Sequence, residues 1–260
     1  MDKTFLKGLV LLEALARVER PCGITELASQ MQLNKSNVHR LLQSLVHQGF
    51  ARNIAETGRY ELTMKLWELG SFVFRRLDVR KIAASYMEEL ARKTSETVHL
   101  SILDGIEVIY LAKIDSPQPV RSYTSIGGRA PAQCVATGKA QLAWAEANTL
   151  AQVKQELKAY TPLSLLHPDA LDAELAHIRH QGFAMNRGEW RDQVCGLAAP
   201  IRDVSGAVIA AIGISGPSLR LTPQMLQQMA PTIVETGEII SEHLGYRPGI
   251  IDREPAPQMP

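Results

Sequence analysis

Apolar residues fall at helical spacing through the first part of the chain, and the elements they predict are short. Ile24, Leu27, Ala28 and Met31 stand at i, i+3, i+4 and i+7, leaving Glu26, Ser29, Gln30 and Gln32 on the wet side of one brief helix. Thr25 is the expected N-cap, with Glu26 in the first turn, where the helix dipole favours a carboxylate. A turn through Leu33 leads to a second helix. Asn34 caps it, Val38, Leu41, Leu42, Leu45 and Val46 form its apolar stripe, and Gly49 ends it. Phe50 to Ile54, the turn Ala55-Glu56-Thr57-Gly58 and Arg59 to Leu62 then predict a hairpin.

The same periodicities divide the rest. Lys3 to Val18 predicts a helix whose apolar residues Phe5, Leu6, Leu9, Val10, Leu12 and Leu15 exceed one face, which suits contact with a partner chain as well as a core. Thr63 caps a helix from Met64 to about Leu77 that is apolar nearly all round, a linker to be clasped between domains or subunits, with Arg75, Arg76 and Arg80 near its end. Helices are expected from Val79 to Lys93, Ala136 to Ala147, Leu150 to Tyr160, Pro168 to Gln181 and Pro223 to Leu244. Strands are expected at Thr97 to Leu103, Glu107 to Lys113, Val120 to Ile126, Phe183 to Arg187, Gly196 to Arg202 and Ala207 to Ser215. This mixture implies an α+β body with an antiparallel sheet and helices on its faces. The expected domains are a head over 1–62, a linker helix over 63–78, a second domain over 79–246 and a disordered, proline-containing tail over 247–260.

Charge sharpens the division. The formal net charge is +1, but residues through Arg80 hold 12 basic and 8 acidic side chains, a balance of +4, whereas the remainder holds 16 and 19, a balance of −3. A basic head on an acidic body fits one module for nucleic acid and another with a separate task. The outer face of the second helix carries Lys35, Ser36, Asn37, His39, Arg40, Gln43, Ser44 and His47, with no acid among them. Arg or Lys can bond guanine O6 and N7, Asn or Gln can bond adenine, and Ser can take phosphate, so this face suits the major groove. Arg52 and Arg59 flank the hairpin tip and could reach phosphates or a minor groove, and Thr25 completes the expected contact set.

No signal peptide is expected in the first residues, because the apolar run Gly8 to Leu12 is short, and the longest apolar run, Ala207 to Pro217, is too short to span a bilayer. Cys22, Cys134 and Cys195 are odd in number and lack a C-x-x-C pair, which implies reduced thiols in a cytoplasm. His177 and His180, with His99, Cys134 and Cys195 dispersed, match no ordinary metal site. Neither metal nor cofactor is expected.

In the body, Ile126 to Ala140 is a glycine-rich loop entering a helix, whose amides could hold a carboxylate, although its glycines would serve a bare turn as well. It is not a P-loop, because Gln133 and Ala140 stand where that motif needs Gly and Ser or Thr. Asn186 to Trp190 leading to Cys195-Gly196-Leu197 is a second candidate, and Gly213 to Pro217 a third. The last fails the nucleophile-elbow pattern at Pro217, and Ser215 is read as a hydrogen-bond donor. With no acid–base pair or activated nucleophile evident, an enzyme is not expected.

The chain resembles the isocitrate lyase regulator (IclR) family of bacterial transcription factors, from about Lys3 to Leu244. The resemblance rests on Ile24-Thr25-Glu26-Leu27-Ala28 with Lys35 to Leu42, on Ala136-Thr137-Gly138-Lys139-Ala140, on Gly196 to Ile201 and on Ile214-Ser215-Gly216-Pro217, four motifs in order at matching separations. It implies a winged helix-turn-helix head, a helical linker, a GAF-like effector domain that binds a small organic molecule, often a carboxylate, and dimers paired through the heads or tetramers. The residues expected around the effector are Gly128, Arg129, Cys134, Thr137, Gly138, Asn186, Glu189, Cys195 and Ser215, with Arg129 and the amides near Gly138 on its carboxylate. Some relatives carry an acid where Asn186 stands and a second serine where Gly213 stands. The expected function is ligand-responsive regulation at a pseudo-palindromic operator in double-stranded DNA.

Overall fold

A computed structural model describes residues 3–18, 20–74 and 78–247. The predicted tail beyond Arg247, and Arg75 and Arg76, lie outside the described residues. The chain divides into two compact units between Leu77 and Asp78.

The first unit contains helices α1 (Lys3–Ala16), α2 (Ile24–Met31) and α3 (Lys35–His47), strands β1 (Ala51–Ile54) and β2 (Arg59–Leu62), and helix α4 (Lys65–Phe74). Leu11, Leu15, Leu27, Ala28, Val38, Leu41, Leu42 and Tyr60 form its main core cluster, and Ala51 of β1 is buried as well. The predicted cap of α2 is corrected: Gly23 is the N-cap, and its amide donates to Glu26 Oε2 at 3.2 Å, so Thr25 lies exposed inside the helix. Asn34 caps α3 as expected, its Oδ1 accepting from the Asn37 amide at 2.9 Å. Gln32, the C-cap of α2, is left-handed (φ 53°), which turns the chain sharply between the two helices. β1 and β2 pair from Ala51↔Leu62 to Ile54↔Arg59, and Gly58 (φ +63°) supplies the turn conformation that a side chain resists. Thr63 caps α4 through the Lys65 amide.

The second unit opens with α5 (Asp78–Thr94) and the hairpin β3 (Thr97–Asp104) and β4 (Glu107–Ile114), and continues with the three-residue strand β5 (Arg129–Pro131). Then come α6 (Ala136–Leu142), α7 (Ala147–Gln155), α8 (Pro168–Gln181), β6 (Ala184–Arg187), β7 (Val194–Arg202), β8 (Val208–Pro217) and α9 (Pro223–His243). The six strands form one antiparallel sheet in the order β5-β4-β3-β8-β7-β6. Successive residues of a strand point to opposite faces. Ala198 therefore packs in the cluster with Leu142, Leu171, Leu175 and Ile178 of α6 and α8, while Ala199 faces Gly237 of α9 on the other side.

Three expectations fail in the second unit. Val120 to Ile126 is not a strand, and β5 begins only at Arg129. α6 stops at Leu142 and α7 spans Ala147–Gln155, both shorter than the apolar pattern suggested. No helix of the described residues is long and apolar enough to cross a membrane.

Candidate functional site

In the first unit, α3 turns Val38, Leu41 and Leu42 inward and presents Lys35, Ser36, His39, Arg40 and Gln43 to solvent, with Asn37 half-buried. Arg40 Nη2 reaches Asn37 Oδ1 at 3.5 Å, and Gln43 leans toward His39 and the Tyr60 hydroxyl, so the polar side chains brace one another along the helix. The two wing arginines differ. Arg52 pairs with Glu61 across the hairpin at 2.6 Å but keeps 70% of its side chain exposed. Arg59 is taken up within the unit: it donates to the Pro21 carbonyl at 2.9 Å and to both carboxylate oxygens of Glu26 at 3.2 and 3.3 Å. It fastens the wing to the start of α2, a tie invisible at a separation of 33 residues.

In the second unit, a cleft of about 450 Å³, counting its open mouth, is framed by β3, β8, the start of α6, the segment near Thr124 and the segment from Asn186 to Gly196. Four of the residues expected around an effector, Thr137, Asn186, Cys195 and Ser215, line it. Thr137 and Asn186 are buried, and Asn186 is held by donating to the Cys134 carbonyl at 2.7 Å while accepting from the Gly188 amide at 3.2 Å. Burial pushes up the Cys195 thiol, helped by the Glu189 carboxylate, so Cys195 faces the cleft as a neutral group.

The other expected residues have other tasks. Arg129 is exposed and spent on Asp104 and Glu107 across the β4–β5 edge, and its guanidinium is held further in the charged form by the Asp104 hydrogen bond. It is not among the lining residues, and the expected carboxylate role has no geometric basis. Gly138 is a packing glycine: a Cβ there would sit 2.2 Å from the Ala132 carbonyl oxygen, and its amide already donates to Val135. Gly128 serves the turn, its amide on the Ser125 carbonyl and its own carbonyl on the Tyr110 amide. Cys134 is fully buried, its thiol pushed up to about 12 chiefly by burial.

Glu189 belongs to a buried ion cluster. Lys139, with its side chain wholly out of solvent, bonds Glu189 Oε1 at 2.8 Å and Glu174 Oε1 at 2.9 Å. Burial acts to raise the Glu174 carboxyl, but the Lys139 charge and hydrogen bond prevail and hold it below its ordinary value. The second oxygen of Glu189 accepts the Arg187 amide. Lys139 thus fixes the chain just before Trp190 and Arg191, which form one wall of the cleft.

Sequence reasoning reached Trp190 but missed Arg191 beside it and His99. Arg191, exposed and stacked on the Trp190 ring at 4.5 Å, stands at the lining where no Asp or Glu does among the described residues. His99 is buried between Ser215 Oγ, 2.7 Å from its Nε2, and Thr124 Oγ1, 3.3 Å from its Nδ1, with the Tyr110 ring 4.9 Å away. Burial, and then the Lys113 ammonium, push the imidazole down to about 4 against a smaller opposing pull from Asp115, so His99 is neutral at pH 7. The detectable signal was a histidine inside a strand pattern, although its partners lie 25 and 116 residues away. Among the described residues no group of His, Cys, Asp and Glu is placed to hold a metal ion, and all three cysteines are free.

The model of the bacterial transcriptional regulator IclR C-terminal domain matches residues 71–242, and that of the IclR helix-turn-helix domain matches residues 5–54. The chain belongs to the IclR family. It is 36% identical over 243 residues to the HTH-type transcriptional regulator KdgR of Escherichia coli, covering 93% of this chain and 92% of that protein. It is 35% identical to XynR of the same organism, covering 92% and 96%. Among solved structures, Thermotoga maritima IclR aligns with a TM-score of 0.77 at 30% identity, covering 94% of this chain and 99% of that one. An IclR homologue from Microbacterium hydrocarbonoxydans, complexed with 4-hydroxybenzoate, aligns with a TM-score of 0.75 at 26% identity, covering 92% and 97%. The protein is therefore a transcriptional regulator with a DNA-binding helix-turn-helix head and an effector-binding C-terminal domain, not an enzyme.

Proposed function

We propose that this IclR-family regulator binds a pseudo-palindromic operator as a homodimer or homotetramer, and that a small organic carboxylate in the cleft of the second unit shifts that binding. The observation that carries the ligand class is the charge of the lining: one guanidinium, Arg191, a neutral imidazole and no carboxylate. An anion entering such a cleft meets a cation without a competing acid, whereas a cation would be desolvated beside Arg191 with nothing to pair it. Hydroxyl and amide groups from Ser122, Thr124, Thr137, Asn186 and Ser215 remain to read the rest of the molecule. An IclR homologue from Microbacterium hydrocarbonoxydans is complexed with one such acid, 4-hydroxybenzoate.

Arg191 takes the carboxylate role first expected of Arg129. On the DNA side, Lys35 and Arg40 supply the base and leading phosphate contacts, Ser36, Asn37, His39 and Gln43 extend them along α3, and Arg52 holds the backbone from the wing. Pairing of subunits is supported by apolar side chains left at the surface: Leu6, Leu9 and Val10 on α1, and Met64, Trp67 and Leu69 at α4 are 40–68% exposed. Faces this apolar are contact surfaces in soluble proteins.

The test is thermal melting of the full chain against a panel of small aliphatic and aromatic carboxylates, followed by operator binding with any acid that stabilises it. Stabilisation that vanishes in Arg191→Ala, together with a change in operator affinity, is the expected result. Stabilisation by amines or neutral molecules alone would overturn the carboxylate.

A further inference from the structure

We propose that His99 is the specificity-determining residue of the cleft, polarising Ser215 and Thr124 so that the site selects a hydroxylated acid over the same acid without hydroxyls. The inference rests on reading this cleft as the effector site and goes on to name what the site reads beyond the carboxylate.

The argument is one of hydrogen-bond bookkeeping. A neutral imidazole has one N–H and one bare nitrogen. Nε2 lies 2.7 Å from Ser215 Oγ and Nδ1 lies 3.3 Å from Thr124 Oγ1, so the ring joins two hydroxyls. If Nδ1 carries the proton, it donates to Thr124 and Ser215 donates to Nε2. The Ser215 proton is then committed, its oxygen offers only lone pairs to the cleft, and the Thr124 proton is free to donate. If Nε2 carries the proton, both assignments reverse. In either tautomer one hydroxyl presents an acceptor and the other a donor.

A ligand hydroxyl, which both donates and accepts, satisfies either arrangement. A methylene in the same place satisfies neither and, on binding, covers the buried Thr124 hydroxyl or the half-buried Ser215 hydroxyl without replacing its water. Sites built to bond a substrate hydroxyl reject the analogue lacking it far more strongly than apolar pockets reject an added group.

The surroundings keep the ring in this role. His99 is 3% exposed on β3, a strand interior to the sheet, and Tyr110 covers one side at 4.9 Å. Lys113, which donates to the Thr124 carbonyl at 2.8 Å and pairs with Asp115 at 3.0 Å, anchors the Thr124 segment and disfavours a second proton on the imidazole. A doubly protonated ring would free both hydroxyl protons for donation, and the alternation would be lost.

The experiment measures affinities of the full chain for matched probes by calorimetry: gluconate against hexanoate, 4-hydroxybenzoate against benzoate, and glucitol as an uncharged polyol. We expect at least one hydroxylated acid to bind at least tenfold tighter than its bare partner. His99→Phe should bring that pair within about threefold by weakening the hydroxylated member and sparing the bare one, a split that general damage to the fold would not produce. Ser215→Ala and Thr124→Val each break one end of the chain of bonds without touching the ring, and should each remove part of the preference. His99→Asn, which keeps a donor group and an acceptor group, should restore some of it.

Preference undiminished in all three of His99→Phe, Ser215→Ala and Thr124→Val overturns the proposal. Tight binding of hexanoate or benzoate with no preference overturns it while leaving the carboxylate reading intact. Binding of glucitol with the same dependence on His99 supports it and overturns the carboxylate. Failure of every hydroxylated probe to bind overturns it outright.

Discussion

Replacing Lys139 by Met tests whether the buried ion cluster holds the wall of the cleft. The Lys139 side chain is 0% exposed and bridges Glu189, 5% exposed, and Glu174, 19% exposed. Removing the ammonium strands the Glu189 charge, whereas Glu174 keeps the Arg187 guanidinium at 3.8 Å and some solvent. Stranding one partner of a buried pair costs about 3–5 kcal/mol, a large part of the roughly 5–15 kcal/mol that holds a domain folded. For a unit of this size the melting point should fall by about 10 °C.

The second arm of that test separates charge from packing. Glu189→Gln in the Lys139→Met background removes the stranded charge while keeping an oxygen for the Arg187 amide, and should recover about half of the loss or more. Urea unfolding of the parent, both single variants and the pair completes the cycle. A Lys139→Met protein within about 1 kcal/mol of the parent, or additive single effects, would show that the cluster is not what fixes this segment. Because Glu189 adjoins Trp190 and Arg191, the single variant should also lose affinity for whichever acid stabilises the parent.

Other expectations follow from the same geometry. The His99 imidazole titrates near 6.5 when unfolded and about 4 when folded, so the unfolded chain binds more protons as pH falls. Its contribution is complete above pH 6.5 and lost toward pH 4, roughly 3 kcal/mol in all; urea midpoints across that window should fall less steeply in His99→Gln. Gly138→Ala places a Cβ 2.2 Å from the Ala132 carbonyl oxygen and should cost at least about 2 kcal/mol, read by melting, with normal stability counting against the close approach. Arg40→Ala should weaken operator binding and lower its salt slope by about one, whereas Arg59→Ala, which loses Glu26 and the Pro21 carbonyl, should lower head stability and leave the slope nearly unchanged. An unaltered slope in the first variant, or a lowered one in the second, would reassign the phosphate contacts.

The head was legible because its determinants are local. The stripe of α3, the Asn34 cap and the turn glycine Gly58 each act within a few residues, and the structure keeps all three. The cap of α2 was misplaced by two residues because a glycine N-cap has no side-chain signature, and Glu26 completes it from inside the helix.

The cleft was partly legible for the opposite reason, since its parts meet only through sheet register. The pairing Thr97↔Ser215 and His99↔Gly213 brings β3 and β8 together, and no local pattern announces that a histidine on one will bond a serine on the other. Arg129 looked available beside a glycine-rich loop, yet β5 pairs it with Ile109 and its guanidinium reaches Asp104 and Glu107, where its charge is already matched. Val120 to Ile126 misled most instructively. Burial alternates from Arg121 to Ser125, but the apolar members Val120, Tyr123 and Ile126 are exposed while Ser122 and Thr124 are buried, the reverse of an ordinary half-buried strand. Polar groups turned inward have to be satisfied, and here they line the cleft, with Lys113 holding the Thr124 carbonyl where a neighbouring strand would have done so. A segment that inverts the usual burial rule is therefore positioned by the cleft it lines rather than by a sheet. That is why its β-branched and aromatic residues suggested a strand that its conformation does not form, and why its exposed apolar side chains accompany a cleft rather than a core.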